Sequence, residues 1–421
     1  MTRARRAVHA LVCALVTIGA VRGSGQASAT PAAGSDPRSV APSAAAGVAP
    51  PWVRRIDEAV GGLPVSVAIG NDGDLWYRHL QAVRHAPASN QKLLLSMALF
   101  DRFGTDATIK TRVLRDASVD DGVLRGNLWL VGRGDPEVAD RQLNRLAEAV
   151  AEAGITRVTG SVMASTGPFA RDWWAAGWRD YFPAIYIPIP TALTFRGNED
   201  GAGRNIGDPE RRAARHLTAR LEAHGVRVRR GPDMGPPPAR LAPITQISSS
   251  PMASIVRRMN LRSRNLWAEV LGKYLGEDVY GRGTIRNAGR AICAYTATLG
   301  LRATCHDASG LSYTNRISPI GILRLLWGAQ AEPWGTTLRW TLPHGGQGTL
   351  EDRLADVKLR AKTGTLEDVS ALSGWVWLEE TSEWAEFSIL SSGFSDTRAK
   401  RIENRIVRIV NRHANAPHAD I

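Results

Sequence analysis

The distribution of apolar and polar positions divides the chain into stretches of different character. Residues 7–21 are predominantly apolar, stand behind Arg3, Arg5 and Arg6, and are followed by Ala27-Ser28-Ala29, a small-x-small cleavage pattern. This is the layout of a secretory signal peptide over residues 1–29, cut after Ala29. The apolar segment is short for a transmembrane span, with retention as an anchor the alternative. Residues 30–51 are almost entirely Ala, Pro, Ser, Gly and Val and read as a linker, because such a composition cannot bury enough apolar surface to offset ordering.

Periodic structure begins near Ile56. Val65, Val67 and Ile69 alternate with smaller residues, Asn71-Asp72-Gly73-Asp74 is a turn, and 75–80 runs back, predicting a hairpin. Leu93, Leu94, Leu95, Met97, Ala98, Leu99 and Phe100 then predict a buried helix whose first turn holds Ser89 to Lys92. Strands are expected over 109–114, 123–131 and 157–163, and helices over 141–153 and 211–223, giving an inserted α/β module at 105–245. Beyond it, Ile255, Met259, Leu266, Val270 and Leu271 have helical spacing. Residues 357–361 alternate as a strand ending in Lys362-Thr363-Gly364-Thr365, and 371–378 and 384–390 continue an antiparallel meander. Ala399, Ile402, Ile406, Ile409 and Val410 among arginines predict a closing amphipathic helix packed on that meander rather than on a membrane. The catalytic domain is thus expected over 52–104 and 246–421, an α/β chain of the α+β type.

Chemistry concentrates at Pro87-Ala88-Ser89-Asn90-Gln91-Lys92. On a helix Ser89 and Lys92 share a face, so the amine reaches the hydroxyl, and the amide of Ser89 is one of the unpaired donors at the helix start. Ser-x-x-Lys recurs by chance, but only six of the 53 basic side chains are lysine. A lysine kept in so arginine-rich a chain points to a side chain that must be able to lose its proton.

The net charge of +13 includes four arginines of the leader and favours weak contact with anionic envelope surfaces; in an exported chain it does not point to nucleic acid. In an oxidising compartment Cys293 and Cys305 either pair or remain two buried thiols. No His/Cys cluster has metal-ligand spacing, and neither a metal nor another cofactor is expected. Gly132-x-Gly134 precedes Asp135-Pro136 where a phosphate loop would need free amides, so it reads as a turn. Trp173, Trp174 and Trp178 read as satellite core more readily than as a sugar-stacking platform.

Ser263-Arg264-Asn265 and Lys362-Thr363-Gly364 complete, with Ser89-x-x-Lys92, the three-part signature of penicillin-binding proteins and class A β-lactamases. With Gly134-Asp135-Pro136, Pro190-Thr191-Ala192-Leu193, Asp307-Ala308-Ser309-Gly310, Asn315-Arg316 and Gly348-Thr349-Leu350, the chain resembles the serine D-alanyl-D-alanine carboxypeptidases and endopeptidases with a large insert after the nucleophile. The resemblance implies a transpeptidase/β-lactamase-like domain, an antiparallel sheet between helix layers. It implies peptidoglycan stem peptides as substrates, β-lactams as covalent inhibitors, and a periplasmic or cell-wall location.

In this reading Ser89 is the nucleophile and Lys92 the base, its pKa lowered by burial and by the Lys362 ammonium. Ser263 passes a proton to the leaving amine and Asn265 holds the substrate amide. Lys362 and Thr363 bind the substrate carboxylate, Gly364 lets the substrate backbone approach, and the Thr365 amide joins that of Ser89 in an oxyanion hole. Arg316 matches the position where some relatives bind a side-chain carboxylate, whereas Ser165-Thr166 stands where relatives tend to carry acids that recognise an amine. Two alternatives remain: a catalytically weak cell-wall-binding relative, and a β-lactamase, for which Asp140-Arg141-Gln142-Leu143-Asn144 is a coincidental match to the deacylating motif.

Overall fold

The computed structural model describes residues 49–414, so the signal and most of the linker lie outside the described residues. A five-stranded antiparallel sheet, in the order Leu359–Leu366, Val369–Leu378, Glu383–Ser392, Val65–Asn71, Asp74–His79, forms the centre. The first two strands of the chain thereby add to the last three, which accounts for the split of this domain in sequence. Nearly every residue of Val369–Leu378 is buried, because both faces of the sheet are covered.

One face carries helices Pro51–Val60 and Asp396–His413, whose Ile56, Val60, Ile402, Ile406 and Val410 meet Val67, Ile69, Leu372 and Phe387 of the sheet. The closing helix therefore packs on the meander as its apolar spacing requires. The first helix begins at Pro51, the last residue assigned to the linker, since proline is well placed in an opening turn where its missing N–H costs nothing. The other face carries helices Gln91–Phe103, Met252–Arg262, Asn265–Tyr280, Ile285–Thr298 and Pro319–Ala331 around Leu94, Phe100, Met259, Val270 and Leu326. Cys293 and Cys305 form a disulfide that ties helix Ile285–Thr298 to the segment ahead of Asp307.

Between Phe103 and Met252 the chain builds a mixed five-stranded sheet, in the order Asp233–Gly235, Val162–Ser165, Leu128–Val131, Lys110–Arg115, Ala242–Ser248. Helices Asp140–Glu152 and Pro209–Ala223 share a core with it around Leu143, Val150, Leu217 and Leu221. Residue 245 therefore lies inside a strand rather than at a boundary. Two single strands expected from the sequence are each two. The stretch 123–131 breaks around Gly126, where Asp116 accepts from the Asn127 amide at 2.7 Å, and 157–163 breaks at Gly160, packed against Gly126. In each case the first half joins a small four-stranded sheet and the second half the larger one. Gly134 adopts φ 95° in a turn, and its amide donates to Ala192 O at 2.7 Å, so Gly134-Asp135-Pro136 and Pro190-Thr191-Ala192-Leu193 dock on each other.

Candidate active site

Ser89 sits in a 3-10 turn, Ala88–Asn90, that runs directly into helix Gln91–Phe103. Ala88 is held at φ 46°, unusual for a residue with a side chain, and Gly310 packs so closely on its carbonyl that no Cβ fits there. Lys92, one turn on, is fully buried, and its Nζ donates to Ser89 Oγ at 2.9 Å, Asn265 Oδ1 at 2.9 Å and Ser309 O at 2.5 Å. All three donors of the ammonium are aimed, and one of them at the hydroxyl.

The apolar spacing that predicts helix over 255–271 is interrupted where function requires it. Helix Met252–Arg262 ends at Ser263, which takes the left-handed conformation at φ 52° and ψ 42°, and a new helix starts at Asn265. This turn separates three successive side chains: Ser263 and Asn265 line the cavity at Ser89, and Arg264 lines a different one. Asn265 spends Oδ1 on Lys92 and Nδ2 on Tyr186 O at 3.1 Å.

Strand Leu359–Leu366 carries Lys362-Thr363-Gly364-Thr365 in its second half, as expected, and forms the sheet edge nearest Ser89. Lys362 is also fully buried, its Nζ donating to Ser263 Oγ at 2.9 Å and Thr363 O at 2.8 Å. Thr363 Oγ1 donates to Thr349 Oγ1 at 2.7 Å, and Thr365 is exposed on the cavity wall. Gly364 also has a role that the sequence did not suggest. A Cβ on it would lie 2.8 Å from Pro87 O and 3.0 Å from Ser89 N, so its missing side chain makes room for the nucleophile's own backbone.

Burial pulls Lys92 down to about 7, against the opposing attraction of Asp307 and Glu269. Lys362, with no carboxylate hydrogen-bonded to it, is pulled well below the ordinary lysine value by burial and then by the charge of Lys92. The two ammonium groups discourage each other's charge, and burial is the larger cause for both.

Neither acid near Lys92 was given a role from the sequence. Glu269, fully buried, accepts from the amides of Ala308 at 3.0 Å and Ser309 at 2.7 Å, and burial together with Asp307 raises it to about 8. Asp307 accepts from the Gly310 amide at 3.0 Å, Asn315 Nδ2 at 2.7 Å, Ser312 N at 2.7 Å and Trp178 Nε1 at 2.7 Å. Together they fix the Ser309 carbonyl under Lys92. The available signal was a glutamate between Leu266 and Val270 on the apolar face of a helix, where an unpaired charge is costly.

The cavity above Ser89 has a volume of about 680 Å³. Tyr181, Phe182, Tyr186 and Tyr313 form its aromatic wall, and Glu367, Asp368 and Asp396 its acidic side. Of the three tryptophans, Trp178 is buried core, Trp173 donates to Ile187 O at 2.9 Å, and Trp174 is exposed away from the cavity lining. Arg316 does not line this cavity. Its guanidinium donates to the carbonyls of Tyr313 at 2.6 Å and Asn315 at 2.7 Å, so the carboxylate-binding role expected of it is replaced by bracing a turn. Ser165 is buried and bonded to Gly167 O, likewise off the cavity. Asp140 is engaged by Arg196 and His216 and is not part of it either.

A serine hydrogen-bonded to a buried lysine, a second serine bonded to a second buried lysine, and a sheet edge beside them define a serine acyl-transfer hydrolase on a transpeptidase-like fold. The chain belongs to the D-Ala-D-Ala carboxypeptidase 3 (S13) family, which it matches over residues 54–200 and 187–413. It is similar to the D-alanyl-D-alanine carboxypeptidase of Actinomadura sp. strain R39, 27% identical over 76% of each chain. Among solved structures it resembles penicillin binding protein 4 of Haemophilus influenzae, with a TM-score of 0.75 and 18% identity over 85% of this chain and 99% of that one. A predatory endopeptidase of Bdellovibrio bacteriovorus, acylated by penicillin G, aligns with a TM-score of 0.53 and 16% identity over 84% of this chain and 95% of that one.

Proposed function

We propose that this serine peptidase removes the terminal D-Ala from peptidoglycan stem peptides, also cleaves cross-links, and is acylated by β-lactams on Ser89. The observation that carries this reading is the 2.9 Å contact between Ser89 Oγ and the Nζ of a lysine held near 7. A lysine so placed is a base at working pH, where an ordinary one would be almost wholly protonated.

Ser89 Oγ attacks the carbonyl carbon of the penultimate residue while Lys92 takes its proton. The amides of Ser89 and Thr365 receive the oxyanion. The C–N bond then breaks, the proton reaches the leaving amine through Ser263, and the acyl group stays on Ser89 as an ester. Water, giving its proton to Lys92, releases the acid and regenerates the serine. Lys362 and Thr363 bind the terminal carboxylate, whose arrival restores the proton that burial discourages on Lys362. Asn265 takes the substrate amide once Nδ2 leaves Tyr186 O, which makes the aromatic wall part of substrate entry.

The acids at 367, 368 and 396 offer partners to an amine on the stem side chain, a role the sequence assigned to nothing. We place the mature enzyme in the periplasm or cell-wall space, a reading supported by the disulfide between Cys293 and Cys305. Release of D-Ala from a stem-peptide mimic tests the assignment. Turnover supports it, whereas stoichiometric penicillin labelling without turnover supports a wall-binding relative, and fast turnover of the penicillin itself a β-lactamase.

A further inference from the structure

A second cavity, of about 670 Å³, opens on the other side of the Ser263-Arg264-Asn265 turn. Arg141, Arg145, Arg196, Arg258 and Arg264 line it, around the nearly buried ring of Trp267. Arg141 and Arg145 stand one turn apart on helix Asp140–Glu152, and Arg264 and Arg258 place their guanidinium carbons 4.9 and 5.9 Å from the Trp267 ring centre. Glu137 lines the cavity and Asp140 neighbours it, and both carboxylates are committed. Glu137 takes Arg258 and the Ser250 amide, and Asp140 is held by Arg196. Among the described residues Arg141, Arg145 and Arg264 form no ion pair. A concave site lined by like charges on low-dielectric walls concentrates its potential, and guanidinium forks match phosphate geometry.

We propose that this cavity binds a phosphate-bearing linear polymer of the cell envelope, holding the enzyme on its wall substrate beside the catalytic cavity. A polymer fits better than a lipid surface because the arginines converge within a cleft instead of lying across a plane. The flatter basic strip of Arg55, Arg401, Arg405, Arg408 and Arg412 on the opposite helical layer is the contrasting case. Phosphate binding in the cavity is independent of the peptidase assignment, whereas the choice of an envelope polymer rests on that assignment, and D-Ala release and polyphosphate binding are measured separately.

The test is calorimetric titration of the full chain with sodium tripolyphosphate at low ionic strength, comparing wild type, Arg141→Ser/Arg145→Ser, and Arg401→Ser/Arg405→Ser. The two variants remove equal charge. The cavity variant is expected to lose about tenfold or more in affinity and the strip variant less than about twofold. If the double variant unfolds, Arg145→Ser alone is expected to lose about threefold. Phosphatidylglycerol vesicles provide the second arm, and their binding is expected to be indifferent to Arg141 and Arg145. No binding by the wild type, equal losses in both variants, or vesicle binding that depends on the cavity pair would each overturn the proposal.

Discussion

Gly364→Ala perturbs the site without touching any reactive group. The added methyl would stand 2.8 Å from Pro87 O, 3.0 Å from Ser89 N and 3.1 Å from the Ala371 side chain, the first roughly half an ångström inside ordinary contact. None of these neighbours is a flexible side chain. Pro87 and Ser89 flank Ala88, already at φ 46°, and Gly310 closes the opposite side of that residue. The turn carrying Ser89 must therefore retreat from the strand by several tenths of an ångström. Overpacking of this kind costs about 1 to 3 kcal/mol, a loss of a few degrees in Tm. Since a 1 Å misplacement can cost about a hundredfold in rate, acylation should fall about tenfold. Stopped-flow acylation by a chromogenic β-lactam, with a thermal melt on the same sample, separates the two effects. Near-normal acylation with an unchanged melt would show that the strand does not set the position of the nucleophile.

Other perturbations discriminate among the remaining roles. Lys92→Arg should be nearly as inactive toward penicillin as Lys92→Ala, because arginine keeps the charge and cannot act as a base. In the wild type, acylation should rise with pH and level off above about 7, since Lys92 held near 7 is protonated and unable to accept below that value; a flat profile from pH 5 to 8 would exclude it as the base. Lys362→Arg should also be severely impaired, because the amine is fully enclosed between Ser263 Oγ and Thr363 O, leaving no room for a fork; activity within about threefold of wild type would contradict that enclosure. For stem-peptide mimics, Glu367→Gln/Asp368→Asn should lower kcat/KM selectively when the side chain bears an amine, while Arg316→Ala should not discriminate between mimics with and without a side-chain carboxylate. The opposite pattern would return recognition to Arg316.

Much of this was legible in the chain because it rests on local patterns. The three motifs carry their own geometry: helix spacing joins Ser89 to Lys92, and a strand presents Lys362. What could not be read locally were the contacts between distant segments. Gly364 reads only as a passage for substrate, and its contact with Pro87 and Ser89 comes from a distant segment. Arg316 reads as a substrate ligand until its donors are found on neighbouring carbonyls. The scarcity of lysine proved informative more widely than expected, since Lys273 is enclosed as fully as Lys92 and Lys362 and donates to Ala170, Asp172 and Pro190 carbonyls. Three of the six lysines are enclosed in this way, a base being one kind, whereas Lys110, Lys358 and Lys400 keep contact with solvent. The breaks at Gly126 and Gly160 were hidden because each half-strand keeps strand-like alternation while joining a different sheet.

The central claim is that Ser89 is the acylated nucleophile, and intact-mass analysis after incubation with benzylpenicillin tests it most directly. The wild type should gain the mass of one penicilloyl group. Ser89→Ala should gain none while melting at nearly the same temperature, because a hydroxyl in an opening turn contributes at most about 2 kcal/mol. A Ser89→Ala protein that still takes up one equivalent would place the nucleophile elsewhere and contradict the account.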